Sequence, residues 1–213
     1  NTEGGWLNRS IQGLYAPGST FKLITATAGM RSKNIDWDDI LDCGPSYLVG
    51  GRAFPEHEPA GYGQVDLEKM LAVSCNVWNY QVGLRTGPEN LAKEARRFGL
   101  DTPLLQKPAE SENAPTTELP NPATRMVVPD RAYKLRVWGQ PWTDGDTANT
   151  SIGQGYLLTT PLHMACVAAS IARGETRTTP SIIHDPGRDG RHAGAEPIGL
   201  TTPQLQALRD GML

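Results

Sequence analysis

Apolar positions in this chain recur mostly at three- and four-residue intervals, the spacing that places side chains on one face of a helix. Proline, glycine and small polar residues that begin or end helices bound each of these stretches. The pattern predicts six helices, over residues 19–30, 67–73, 74–87, 89–98, 162–172 and 203–212. Helical signals therefore outnumber strand signals along the chain.

The remaining stretches read mainly as turns and loops. Residues 101–148 contain seven prolines and little periodicity, which predicts one long irregular segment. Residues 42–64 are rich in glycine and proline and predict a loop or a small hairpin. Shorter features are a helical turn at 36–40, a strand at 180–184 and a polar loop at 185–195.

The composition suits one folded unit and excludes some classes of function. The chain has 213 residues and is 38% hydrophobic, enough for one core, so residues 1–213 are expected to form a single domain. The net charge is −3 and no block of Lys and Arg occurs, which argues against nucleic-acid binding. No apolar run reaches the ~18 residues of a membrane span, and three scattered cysteines do not predict a disulfide scaffold.

The most informative motif is the segment Pro17–Lys22, P-G-S-T-F-K. It places the hydroxyl of Ser19 and the amine of Lys22 three positions apart, and such positions share one helix face. An adjacent amine can take the proton of a serine hydroxyl and make it a nucleophile. The spacing is equally typical of a capping serine followed by a solvated lysine, so it leaves both interpretations open.

A second motif, Ser74-Cys75-Asn76, supplies a hydroxyl and an amide two residues apart. If both side chains point into one cleft, Ser74 could relay a proton between Lys22 and a leaving group. Asn76 could hold Lys22 and bind a substrate amide. The alternative is that Ser74 caps a helix and Asn76 lies in its first turn.

The context of both motifs resembles a known family. Tyr15–Lys22 resembles the active-site serine segment of the penicillin-binding proteins, and Leu71–Gly83 resembles the second motif with its following helix. Trp142–Tyr156 and Thr160–Ala165 are similar to the W-x-x-G-D-T, I-G-Q-G-Y and T-P blocks of class B members. The resemblance is greatest to the penicillin-binding protein 2 group and covers residues 8–183.

The resemblance implies a fold and roles for five residues. The fold is the α/β (α+β) fold of serine D,D-transpeptidases and β-lactamases, of which this chain would be mainly the helical lobe with an incomplete central sheet. Ser19 would be the nucleophile, Lys22 the base for acylation, and Ser74 a proton relay. Asn76 would position Lys22, and substrate binding would involve Ser19, Asn76 and Gln154. The Ser19 backbone N–H would also donate to the oxyanion.

The implied activity is peptidoglycan cross-linking. A stem peptide ending in D-Ala-D-Ala would acylate the serine, and β-lactams would trap the same ester. The implied partners are stem peptides, β-lactams and the cell-wall elongation machinery, at the periplasmic face of the bacterial inner membrane, with any anchor outside this chain. A D,D-carboxypeptidase or serine β-lactamase, and a non-catalytic penicillin-binding sensor module, remain alternatives.

No cofactor or metal is expected. Some relatives hold a structural metal between the first two motifs, and Cys43, His57, Glu58 and Cys75 could act as ligands. Their spacing fits no standard zinc pattern, and Tyr62 stands where the family has a histidine.

The family's third motif is K-T-G or K-S-G, and none of the six lysines in this sequence is followed by Thr-Gly or Ser-Gly. The chain is therefore expected to be an internal fragment that lacks both halves of the central sheet. Loss of one oxyanion donor typically costs ~10²–10³ in rate. The 213-residue chain alone is accordingly not expected to be acylated efficiently by penicillin.

Overall fold

The computed structural model describes residues 8–101, 126–178, 180 and 196–213. The helices in these ranges are α1 (Lys22–Arg31), α2 (Leu67–Ala72), α3 (Asn76–Thr86), α4 (Pro88–Arg97), α5 (Arg131–Trp138), α6 (Asp144–Ser151), α7 (Pro161–Arg173) and α8 (Thr202–Asp210). The strands are β1 (Leu41–Cys43), β2 (Ser46–Val49), β3 (Arg52–Pro55) and β4 (Gly63–Val65), and a short 3₁₀ helix, Gly18–Phe21, precedes α1. Within the described ranges, every helix is too short or too polar to cross a bilayer.

The strands form two nested antiparallel pairs. Outer strands β1 and β4 pair with Leu41 opposite Val65, and inner strands β2 and β3 pair with Tyr47 opposite Phe54. The inner pair turns at Gly50-Gly51, both with positive φ, as a two-residue hairpin requires. Of the two structures expected for residues 42–64, a loop or a small hairpin, the hairpin is the one that forms.

The core is helical, and α3 lies at its centre between α1 and α6. Trp78 and Val82 of α3 and Ile24 of α1 are fully buried. Glycines allow the close approach: a Cβ at Gly29 would lie 2.6 Å from the Cγ1 of Val82. A Cβ at Gly83 would likewise lie 3.0 Å from the Oγ of Ser151 and closer to its Cβ. The three helices thus form a rigid block.

The helices predicted at positions 19–30, 67–73, 74–87, 89–98, 162–172 and 203–212 are confirmed, with ends shifted by at most three residues. Asp66 caps α2 with its side chain, which accepts the N–H of Lys69 at 2.8 Å. Thr201 caps α8 with its side chain, which accepts the N–H of Gln204. Residues 36–40 form only a turn.

The prediction of one irregular segment over 101–148 is wrong for residues 126–148, which contain α5 and the first five residues of α6. Asp130 caps α5 with its side chain, and Gly139 ends it in the left-handed conformation. Pro129 and Pro141 lie outside the two helices instead of interrupting them. The capping residues compensate for the weak periodicity of these short helices.

Three parts of the sequence-based prediction lie outside the described residues. They are the rest of the irregular segment at 102–125, the strand at 180–184 apart from its first residue, and the loop at 185–195.

A nearly buried ion pair joins α5 to α6. The Lys134 Nζ lies 2.7 Å from the Oδ2 of Asp146, and both side chains are mostly shielded from solvent. The same carboxylate accepts the backbone N–H of Thr143 in a capping box that begins α6. Asp146 therefore starts one helix and fastens it to the other.

We expect Asp146→Ala to lower the free energy of unfolding by about 3 kcal/mol, because it leaves the Lys134 ammonium buried without its partner. The matched control is Glu89→Ala, which removes an exposed ion pair with Arg131 and should cost under about 1 kcal/mol. Urea denaturation of the two variants measures both values. Equal costs would contradict the role assigned to Asp146.

Candidate active site

Ser19 lies in the 3₁₀ helix that leads into α1, and Lys22 is the first residue of α1. Residues three apart eclipse each other in 3₁₀ geometry, because each turn contains three residues. The backbone N–H of Lys22 donates to the Ser19 carbonyl across this turn. Ser19 is exposed, whereas Lys22 is buried. Ser19 is thus open to a ligand, whereas the amine of Lys22 is enclosed by the protein.

The turn before Ser19 is held by the Gly153–Gln154 segment. Gly18 has a φ of +57°, and its N–H donates to the Gly153 carbonyl at 2.9 Å. A Cβ at Gly153 would lie 2.8 Å from the Gly18 carbonyl carbon and closer to its oxygen. A Cβ at Gly18 would lie 3.7 Å from the Nε2 of Gln154, whose residue is exposed. Gln154 therefore lies beside the serine turn.

Ser74 lies in the tight turn between α2 and α3 with a φ of +56°, a left-handed conformation that costs a serine ~1–3 kcal/mol. Its N–H donates to the Leu71 carbonyl and helps to finish α2. The residue that caps α3 is Cys75, whose Sγ accepts the N–H of Trp78. The interpretation of Ser74 as a helix cap is wrong, since its side chain contacts Lys22 instead.

Three oxygens of this turn hold the Lys22 amine. The Nζ donates to the Asn76 Oδ1 at 2.7 Å, to the Ser74 Oγ at 3.0 Å and to the Ser74 carbonyl. An ammonium group has three N–H donors, so all of them are used. These hydrogen bonds fix the lysine in one orientation, and only 1% of its surface is exposed.

Burial lowers the pKa of Lys22 from 10.5 to about 8, while the negative charge of Glu56 acts in the opposite direction. At pH 7 about a tenth of the molecules then carry a neutral amine. A neutral amine keeps two donors and gains a lone pair. Because an efficient base has a pKa near the working pH, Lys22 is suited to accept a proton.

A hydrogen-bonded cluster lies next to the turn between α2 and α3. It includes Cys75 and His57, two of the residues considered above as metal ligands. The Cys75 thiol donates to the Glu56 Oε2 at 3.1 Å, and the His57 Nδ1 lies 2.7 Å from the Oε1. The Tyr62 hydroxyl lies 2.7 Å from the His57 Nε2, whereas Glu58 accepts from Ala60 instead.

The donor atoms of this cluster bind one another. In the described ranges no three His, Cys, Asp or Glu side chains are arranged to hold a metal ion. The cluster therefore does not fit a metal. Sequence reasoning missed Glu56, because only the hairpin brings it to the turn.

Ser19 and Ser74 line one cavity of about 730 Å³. Most of its other walls are apolar, with Leu23 and Met164 among them. A substrate in this cavity would meet both hydroxyls at once. Of the residues singled out from sequence, Lys22, Ser74 and Asn76 are in direct contact, Ser19 shares the cavity, and Gln154 lies beside Gly18.

Known proteins share this arrangement of segments. The chain matches the family described as penicillin binding protein transpeptidase domain over residues 1–199. The chain belongs to this family. Among curated relatives, peptidoglycan D,D-transpeptidase MrdA of Acinetobacter baumannii is 31% identical over 83% of this chain and 25% of the relative.

Two solved structures of penicillin-binding proteins are similar to this transpeptidase chain. The complex of penicillin-binding protein 2 with MreC from Helicobacter pylori has a TM-score of 0.78 at 30% identity, over 97% of this chain and 36% of that one. The penicillin G acyl-enzyme of penicillin-binding protein A from M. tuberculosis has a TM-score of 0.57 at 32% identity, over 79% and 35%. The chain is thus a penicillin-binding protein 2-like transpeptidase domain that spans about a quarter of MrdA and a third of these structures.

We expect Gly153→Ala to destabilise the folded chain by about 2–5 kcal/mol, since a left-handed alanine costs ~1–2 kcal/mol and overpacking adds ~1–3 kcal/mol. Gly139→Ala is the matched control, because Gly139 has a similar φ of +65° but open space around it. It should show the backbone cost alone. Equal losses in urea denaturation would show that Gly153 does not press on the serine turn.

The stability of the protein relative to Lys22→Met should rise with pH. The folded-state pKa of Lys22, about 8, lies below its unfolded value of 10.5, so the unfolded chain binds more protons between them. Between pH 7 and pH 10 the difference in unfolding free energy should grow in favour of wild type by about 2–3 kcal/mol. A difference that stays constant over this range, measured by urea denaturation, would refute burial of the ammonium.

Proposed function

We propose that this penicillin-binding transpeptidase domain cross-links peptidoglycan through an acyl-enzyme on Ser19. The substrate is a stem peptide ending in D-Ala-D-Ala, and the acceptor is an amine of a second stem. The observation that carries the proposal is the buried Lys22 amine, with a pKa of about 8, held by Ser74 and Asn76 one turn from an exposed Ser19.

Acylation begins when the neutral Lys22 amine takes the proton of the Ser19 hydroxyl. The Oγ then bonds to the carbonyl carbon of the penultimate D-Ala, whose oxygen becomes negative. Ser19 lies in the first turn of its helix, where backbone N–H groups have no helical partner and can donate to that oxygen.

The proton must next reach the leaving amine. Ser74 Oγ lies 3.0 Å from Lys22 Nζ and lines the same cavity as Ser19, so it can pass this proton on. The peptide bond breaks and D-Ala departs. In the second half, the acceptor amine bonds to the ester carbon, its proton returns through Lys22, and Ser19 is released.

Two amides have supporting roles in this proposal. Asn76 binds Lys22 through its Oδ1, which leaves its Nδ2 for a carbonyl of the substrate. Gln154 is exposed beside the serine turn, where its side chain can contact the same peptide.

We also propose that β-lactams acylate Ser19, that the protein works with the cell-wall elongation machinery, and that it acts at the periplasmic face of the inner membrane. Two relatives support these proposals: one is a penicillin G acyl-enzyme, and the other is a complex with MreC.

The test is covalent labelling by a fluorescent penicillin, in the gene product that contains these residues, with the adduct mapped by mass spectrometry. The wild type should carry the label on Ser19, and Ser19→Ala should carry none. Lys22→Ala should label ~10²–10⁴-fold more slowly, the usual contribution of a positioned base.

Lys93→Ala is the control, because Lys93 is exposed on α4 and its loss should leave the rate unchanged. Equal labelling of wild type and Ser19→Ala would overturn the proposal. Rapid loss of the label from Ser19 by hydrolysis would instead favour a carboxypeptidase or β-lactamase.

A further inference from the structure

Glu56 is a buried carboxylate to which the mechanism above gives no role. It follows the last residue of β3, and its side chain is fully shielded from solvent. A carboxylate in such a place is strongly unfavourable unless hydrogen bonds or an opposite charge compensate. The structure supplies the hydrogen bonds.

One oxygen of Glu56 holds the start of α3. The Oε2 accepts the N–H of Val77 at 2.8 Å and the thiol of Cys75 at 3.1 Å. The first N–H groups of a helix lack helical partners and favour a negative charge. The carboxylate therefore fixes the residues on either side of Asn76, whose side chain binds Lys22.

The other oxygen is anchored in the hairpin. The Oε1 accepts the His57 backbone N–H at 2.9 Å, and the His57 Nδ1 lies 2.7 Å away. A carboxylate only accepts, so Nδ1 carries the proton and Nε2 is free to accept from the Tyr62 hydroxyl at 2.7 Å. The Glu56 N–H donates to the Pro45 carbonyl. The Glu56 side chain thus links the hairpin to the turn between α2 and α3.

The negative charge of Glu56 also acts on Lys22, since it raises the pKa of that amine against the effect of burial. Burial by itself would raise the pKa of Glu56, but N–H groups of Val77, Asn76 and His57 outweigh burial and lower it. Among the described residues, the titratable groups that act on Lys22 are Glu56 and Cys75. The Cys75 thiol pKa is raised by contact with Cys43 and by burial, so the thiol is neutral.

We propose that Glu56 is a positioning residue, which holds the Ser74–Asn76 turn against Lys22 and sets the protonation of that amine by its charge. The titratable groups around the carboxylate are Cys75 and Tyr80 on the α3 side and His57 and Tyr62 on the hairpin side. That the amine acts as a base rests on the proposed function, whereas its position and protonation do not.

The test is an NMR titration of lysine ¹³Cε signals in the gene product that contains these residues, with Lys22 assigned by its loss in Lys22→Met. Wild-type Lys22 should titrate near pH 8. In Glu56→Gln, which keeps the shape and removes the charge, the midpoint should shift to lower pH. In Glu56→Asp, which retains the charge, it should stay close to wild type.

The matched control is Glu58→Gln, because the Glu58 side chain is two residues away and contacts Ala60 instead of the turn. It should leave Lys22 unchanged. An unchanged midpoint in Glu56→Gln would overturn the inference. An upward shift would also overturn it, because a merely structural role predicts a loosened, better-solvated lysine.

A second measurement covers the case in which Glu56→Gln does not fold. In wild type, the backbone amide protons of Asn76 and Val77 should titrate together, with a midpoint below the ordinary glutamate value of 4.5. Absence of that transition would overturn the inference. Failure of penicillin labelling with a normal Lys22 titration would overturn the proposed function alone.

Discussion

The site depends on keeping one ammonium group out of water. Lys22 is buried, and a buried charge is tolerated only when it is fully hydrogen-bonded or paired. The turn between α2 and α3 supplies three acceptors, and Glu56 supplies a negative charge behind that turn. These interactions offset the cost of burial only in part. The pKa of Lys22 is therefore lowered to about 8, which makes the lysine useful as a base.

These groups are positioned by strained backbone at a few residues, which lie at the ends of closely packed helices. Ser74 has a left-handed backbone, and Gly18 and Gly153 meet too closely for any other residue at Gly153. Each lies next to a helix end, and α1, α3 and α6 pack through Gly29 and Gly83. Strain of this kind persists only where the surrounding structure is firmly packed. The serine and the lysine are therefore held to a tolerance that a loop could not give.

Local signals in the sequence were sufficient for much of the fold. Small polar residues such as Asp66, together with glycine and proline, mark the ends of α2, α4 and α7 in the sequence. The segment containing α5 and α6 was not recognised, because these helices are eight residues long and depend on Asp130 and Asp146 for their starts. Periodicity over so few residues carries little information. The nearby prolines favoured an irregular segment, although capping residues were present.

The site shows the same division between local and long-range information. Spacing and context pointed to Lys22, Ser74 and Asn76, which the fold brings into contact. Glu56 could not be found this way, since its role depends on the register of the hairpin and on contacts about twenty residues along the chain. The sequence also gave no reason to prefer Cys75 over Ser74 as the cap of α3.

The central claim is tested most directly by a crystal structure of the penicillin-treated protein. The account predicts an ester on the Ser19 Oγ, with the Lys22 Nζ about 3 Å from both the Ser74 Oγ and the Asn76 Oδ1. An adduct on another residue, or a Lys22 side chain extended into solvent away from Asn76, would contradict it.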